Sequence, residues 1–200
     1  MNTPAETVDT LLHPGWIIPV APAGQILRNH SLAIRGEQIV AVMPRTESAK
    51  LQAAEVFELP DHALLPGLIN AHGHAAMSLL RGYADDLSLM PWLEQHIWPA
   101  EGRHVSDEFV ADGAALAITE MLRAGTTTFS DMYFYPDACA RVAQRMGMRC
   151  QISFPVLDFP TAWARDADDY ISKGLALRQG SHAGSGAGRQ HPDPPARDTR

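Results

Sequence analysis

Between Leu64 and Arg178, short apolar runs alternate with segments of helical spacing. Strands separated by helices imply parallel βαβ units, because a parallel partner is reached only by a crossover connection. Strands are predicted near residues 64–72, 126–131 and 148–156. Ser106 is a suitable N-cap, and Asp107 and Glu108 suit the positive end of a helix. Phe109, Ala114, Ala117, Ile118, Met121 and Leu122 then follow helical spacing. Gly125 closes that segment, so a helix is predicted over 106–124. Pro136 and Gly147 bracket a second helix. Tyr170, Ile171, Leu175 and Leu177 mark a third within 165–178. The resulting class is α/β. The span has room for about three such βα units, too few to close a (β/α)8 barrel, which takes about 250 residues.

Residues 8–62 read as a small β-sheet. Trp16–Val20, Ser31–Arg35, Ile39–Met43 and Val56–Leu59 are β-branched or apolar runs, and Gly36 with its neighbours suits a hairpin. At the other end, Gln179–Arg200 has no Leu, Ile, Val, Met or aromatic residue and is rich in Gly, Pro, Ser, Arg and Asp. It cannot bury enough apolar surface to offset its ordering entropy, so a disordered tail is expected. Its abrupt start suggests a frameshift and premature stop; a genuine flexible tail is the alternative.

The net charge of −7, without a basic run, speaks against a nucleic-acid partner. The N-terminus lacks a positive start followed by an apolar core, and no apolar run approaches the ~20 residues a membrane span needs. Cys139 and Cys150 suggest no disulfide framework and are expected as buried thiols. A cytoplasmic protein is the simplest expectation.

Chemistry enters at Leu64-Leu-Pro-Gly-Leu-Ile-Asn-Ala-His-Gly-His74. Leu64 to Ala71 reads as a short buried strand, broken early by Pro66-Gly67. Side chains two apart on a strand share a face, so His72 and His74 should project together. Gly73 leaves room for close approach. Two imidazoles at the C-terminal end of a strand form half of a metal site. A bare His-x-His also suits two surface or cap histidines; the strand and Pro-Gly turn before it favour the metal. Trp92 and Trp98 could wall a flat ring ligand or simply pack in a core. Asp131 ends the predicted strand over 126–131, and catalytic groups gather at such strand ends in parallel βα folds. Glu101, by spacing alone, is a solvated carboxylate at a helix end.

The stretch Pro66-Gly-Leu-Ile-Asn-Ala-His-Gly-His-Ala-Ala-Met-Ser-Leu-Leu-Arg-Gly82 resembles the metal-dependent amidohydrolase superfamily. It is most similar to the branch of 5′-methylthioadenosine/S-adenosylhomocysteine deaminases and their triazine-hydrolase relatives. Trp92-Leu-Glu-Gln-His-Ile-Trp-Pro-Ala-Glu101 and Ala124-Gly-Thr-Thr-Thr-Phe-Ser-Asp-Met-Tyr133 resemble the same branch, in the same order. The resemblance covers about the first 178 residues. It implies a small β domain over 1–62, the N-terminal part of a TIM-type barrel over 63–178, and a tail over 179–200. The small sheet would be an incomplete β-sandwich, finished in that family by strands from the far C-terminus.

The implied activity is hydrolytic deamination of a purine nucleoside, 5′-methylthioadenosine or S-adenosylhomocysteine. One divalent metal, usually Zn2+, would activate the attacking water. His72 and His74 match the first two ligands, and Glu101 matches a glutamate that contacts ribose hydroxyls. Phe154 stands where some of these deaminases carry an arginine for the substrate carboxylate, which weakens the case for homocysteine recognition. The family's third histidine ligand, its aspartate ligand and its proton-transfer glutamate and histidine have no counterpart here. His182 and His191 fall in the tail. The implied partner is a small purine nucleoside, not nucleic acid or membrane, and a homo-oligomer stays open for the full-length family. The alternatives are a triazine chlorohydrolase or guanine deaminase type of enzyme, and a non-catalytic remnant or interaction module. For the 200-residue chain as written, the last is favoured over autonomous catalysis.

Overall fold

In the computed structural model, which describes residues 6–184, the chain divides after Gly67 into two units. In the first, β1 (Thr7–Ile17), β2 (His30–Arg35), β3 (Gln38–Pro44) and β4 (Gln52–Leu64) form a sheet of order β3-β2-β1-β4. A short helix α1 (Arg45–Ser48) joins β3 to β4. β1 runs antiparallel to β2 and parallel to β4, and the β2–β3 hairpin turns on Gly36-Glu37. Such two-residue turns need a positive φ, and Gly36 supplies it at 57°. Val8, Leu11 and Ala33 form the buried core of this sheet. Beside it, His13 Nδ1 lies 2.7 Å from Ser31 Oγ, which lies 3.1 Å from Ser48 Oγ. This buried polar chain ties β1, β2 and α1 together. The first strand stops at Ile17, short of the predicted Val20. Pro19 has no N–H to donate, and Val20 is left-handed at φ 69° and exposed.

In the second unit, β5 (Leu68–Asn70), β6 (Thr126–Met132) and β7 (Arg149–Ser153) form a parallel sheet of order β5-β6-β7. Between β5 and β6 come a 3-10 helix (Ala75–Leu80), α2 (Leu89–Trp92), a π-helical turn (Leu93–Ile97), α3 (Trp98–His104) and α4 (Asp107–Arg123). α5 (Pro136–Arg145) connects β6 to β7, and α6 (Ala167–Gly184) follows β7. The N-cap at Ser106 is made: its Oγ accepts from the Phe109 amide at 3.1 Å. Val110, Ala114 and Ile118 of α4 are buried with Phe129 of β6 and with Ala138 and Val142 of α5.

Three expectations are corrected here. Residues 64–72 are not one buried strand. Leu64 ends β4 in the first unit, and β5 is a separate strand of three residues starting beyond Pro66-Gly67. β5 is also exposed, with Ile69 at 71 %, because among the described residues it pairs only with β6. Cys139 is buried as expected, but Cys150 is exposed, since β7 is likewise an edge strand. Finally, α6 runs through Gly184, into the segment expected to be irregular from residue 179. No proline occurs before Pro192 to stop it. The remainder of that tail, 185–200, lies outside the described residues. Among the described residues, no helix is long and apolar enough to cross a membrane.

Gly113 brings α4 against the 3-10 helix. A Cβ there would overlap the Ala76 carbonyl oxygen and come within 2.8 Å of its Cα. Helix propensity alone would make Gly113→Ala stabilising by about 1 kcal/mol. The backbone overlap should win, giving a net loss of about 1–3 kcal/mol. Urea unfolding reads the sign directly. A gain in stability would mean that the 3-10 helix can withdraw at little cost.

Candidate metal centre

His72 and His74 lie beyond β5 rather than on it, so strand alternation does not orient them. Their rings nevertheless meet, with centroids 5.0 Å apart and planes at 82°. The loop that carries them is held by its neighbours. The Met132 amide donates to the Gly73 carbonyl at 3.1 Å. His74 Nδ1 lies 2.7 Å from the Met132 carbonyl oxygen. A carbonyl only accepts, so Nδ1 carries the proton and, in the neutral ring, Nε2 keeps its lone pair. That is the arrangement in which an imidazole ligates a metal while its second nitrogen is anchored. The Ala75 amide donates to Asp131 Oδ1 at 2.6 Å, and the His72 amide to Asn70 Oδ1 at 3.3 Å. A Cβ on Gly73 would stand only 3.3 Å from the Ser130 carbonyl oxygen. The missing side chain lets the loop lie close on β6.

Two buried carboxyls belong to this neighbourhood. Asp131, at the end of β6, is 2 % exposed. Burial pushes its carboxyl above the usual range, while the Ala75 amide, the Cys139 thiol and the charge of His74 pull it back. Glu101 sits on α3, 9 % exposed, and accepts from the Tyr133 hydroxyl at 2.6 Å. Burial raises its carboxyl as well, opposed by the Tyr133 hydrogen bond and by the His74 charge. It is therefore not the solvated helix-end carboxylate that spacing alone describes. Asp131 and Glu101 thus feel the same imidazole from two elements. Burial and the Glu101 carboxylate together drive the Tyr133 hydroxyl strongly upward, so it stays a donor.

The two tryptophans have other neighbours. Trp98 is partly exposed and packs on Phe159 at 5.4 Å between centroids. Trp92 lines a groove with Met77, Arg81 and Tyr83. Phe154 packs on Trp163 and fills the space over Gly174, an apolar role. Sequence reasoning passed over Tyr133 and Met132. Their position at the C-terminal end of a parallel strand, Met132 closing β6 and Tyr133 following it, was the available signal. Among the described residues, no three His, Cys, Asp or Glu side chains group closely enough to hold a metal ion. His72 and His74 fit a metal as a pair; by themselves they fall short of a catalytic zinc's usual three protein ligands.

Residues 63–196 match the amidohydrolase family. The chain belongs to the amidohydrolase family. It is 53 % identical over 177 residues to a 5-methylthioadenosine/S-adenosylhomocysteine deaminase of Saccharophagus degradans, covering 88 % of this chain and 39 % of that protein. A zinc-bound adenosine deaminase from Xanthomonas campestris superposes with a TM-score of 0.84 at 44 % identity, covering 88 % of this chain and 40 % of the other. Atrazine chlorohydrolase from Arthrobacter aurescens TC1, complexed with zinc, superposes with a TM-score of 0.74 at 20 % identity, over 92 % of this chain and 44 % of the other. That last likeness is one of fold. This amidohydrolase chain spans about two fifths of the length of the curated relatives it matches.

The Glu101 carboxyl sets a pH dependence of stability. Its folded value lies above the ordinary 4.5, so the folded state holds the proton more tightly than the unfolded chain. Below the ordinary value both states are protonated and nothing is lost. As pH rises from there through the raised folded value, stability falls, and the full penalty stays above it. Glu101→Gln should remove that part of the slope and leave the protein no less stable at neutral pH. Urea unfolding at a series of pH values checks this; an unchanged slope would contradict it.

Proposed function

We propose that this chain carries about three βα units of the N-terminal part of a (β/α)8 amidohydrolase barrel, preceded by a small β-sheet. The enzyme so built would deaminate a purine nucleoside of the 5′-methylthioadenosine or S-adenosylhomocysteine type. The observation that carries this reading is the His72–His74 ring pair, in a chain 53 % identical to a deaminase of that description. His72 and His74 would hold one divalent metal, zinc by preference. When bound, such a metal supplies a hydrolytic nucleophile at neutral pH by acidifying water. His74 would present Nε2, because Nδ1 is committed to the Met132 carbonyl. Glu101 would accept hydrogen bonds from ribose hydroxyls through Oε2, while Tyr133 occupies Oε1 and fixes the carboxylate. The raised proton affinity of Glu101 also means that the ligand meets a desolvated group, where each hydrogen bond counts for more. Phe154, packed on Trp163, offers no charge for an amino-acid carboxylate, which favours 5′-methylthioadenosine over S-adenosylhomocysteine. The two unpaired thiols suit a reducing, cytoplasmic setting.

The test is a chimera of residues 1–178 with the remaining sequence of the Saccharophagus degradans relative. Ammonia release from 5′-methylthioadenosine should exceed that from S-adenosylhomocysteine and guanine. Atrazine should not be dechlorinated. Faster turnover of guanine or atrazine would overturn the substrate class.

A further inference from the structure

We propose that Asp131 is a positioning residue, whose carboxylate fixes the His-Gly-His loop through the Ala75 amide and neither ligates the metal nor transfers a proton. This rests on the reading that His72 and His74 face a metal. β5 ends at Asn70, so no strand ladder holds residues 72–74. Instead, three consecutive residues of the loop bond to two consecutive residues of β6. Gly73 accepts from the Met132 amide, His74 Nδ1 donates to the Met132 carbonyl, and the Ala75 amide donates to Asp131 Oδ1. The first two bonds are made to the Met132 backbone and do not use the side chain at position 131, but they need the loop to lie close on β6. The third depends on Asp131 alone, and it is short at 2.6 Å. It also caps the first turn of the 3-10 helix, which otherwise begins without a side-chain cap.

Asp131 is itself immobile. It is 2 % exposed, its backbone pairs with Ile152 of β7, and its carbonyl oxygen accepts from Ser153 Oγ at 3.0 Å. The Cys139 thiol of α5 neighbours its carboxylate and favours the charged form. β7 therefore fixes the Asp131 backbone, and its carboxylate passes that rigidity to the residue next to His74. A direct metal role is disfavoured by placement, since Asp131 does not group with both histidines at metal-holding distance. What the Ala75 amide needs is an acceptor, and a carboxamide oxygen supplies one as well as a carboxylate.

That equivalence makes the test. Asp131→Asn and Asp131→Leu are made in the 200-residue chain and read three ways. Imidazole nitrogen NMR reports whether His74 keeps its proton on Nδ1. Hydrogen exchange reports the Ala75 amide. Zinc titration reports the pair. Asp131→Asn should retain the wild-type tautomer, slow exchange and a zinc affinity within about threefold. Asp131→Leu should mix the tautomers, speed exchange at Ala75 more than tenfold, and weaken zinc by about 10–100-fold, as loss of outer partners does. A purely structural role would lower the melting temperature of Asp131→Leu without moving the His74 tautomer, and would overturn the proposal. So would an Asp131→Asn chain that loses zinc as badly as Asp131→Leu, which would make the carboxylate a ligand. If Asp131→Leu does not fold, the Asp131→Asn comparison still decides. If wild-type chain binds no zinc, the metal reading fails, while the tautomer and exchange measurements still judge the clamp.

Discussion

Purified 200-residue polypeptide supplied with zinc is expected to release no ammonia from 5′-methylthioadenosine above a His72→Ala control. The described part of the chain offers two adjacent imidazoles, where a hydrolytic zinc uses three protein ligands. No further histidine or carboxylate completes the set among the described residues, Asp131 included. The proton-transfer groups that the family resemblance implies have no matching segment either, and absence of positioned proton transfer alone commonly costs about 10²–10⁴ in rate. The sheet adds to the loss. β5 and β7 pair only with β6 among the described residues, and Leu68 and Ile69 stand exposed on an edge. Parallel strands are stable when both faces and both edges are covered. Turnover well above the control would show that another copy, or the region beyond residue 184, supplies the missing groups.

The second large effect is on metal affinity. His72→Ala or His74→Ala should each weaken zinc by more than about 100-fold, beyond the 10–100-fold that outer-sphere partners cost. The reason is numerical: either change removes one of two imidazoles and leaves a single one. His74→Ala also frees the Met132 carbonyl and loosens the loop, so it should be the more damaging of the two. Glu101→Gln should leave zinc affinity within about threefold, because Glu101 is bonded to Tyr133 rather than placed as a ligand. Competition with a chromophoric chelator measures all three. Equal affinities for wild type and the histidine variants would remove the pair from the metal centre.

Much of this was legible in the residues. The α4 helix follows from Ser106, the acidic first turn and the spacing of Ala114, Ala117, Ile118 and Met121, because such an apolar stripe is buried as a helix. The three parallel strands follow from the alternation of element types. Other features depend on long-range pairing that one sequence does not display. The split at Pro66-Gly67, with β4 in one sheet and β5 in the other, reads as an early break within one strand until the partners β1 and β6 are known. The histidine pair was expected for a reason that does not hold. Strand alternation does not reach residue 72; the rings meet because Met132 and Asp131 hold the loop. The strand-end position of Tyr133 was visible, but its partner was not, since Glu101 lies 32 residues earlier, on α3.

The most direct measurement is zinc K-edge X-ray absorption on the zinc-loaded chain. The expected result is two imidazole nitrogens at about 2.0–2.1 Å with oxygen ligands completing the shell. The signal should fall to one imidazole in His72→Ala and to none in the double variant with His74→Ala. A zinc shell without imidazole scattering, or the same two imidazoles in the double variant, would contradict the assignment of His72 and His74 as the metal-binding pair.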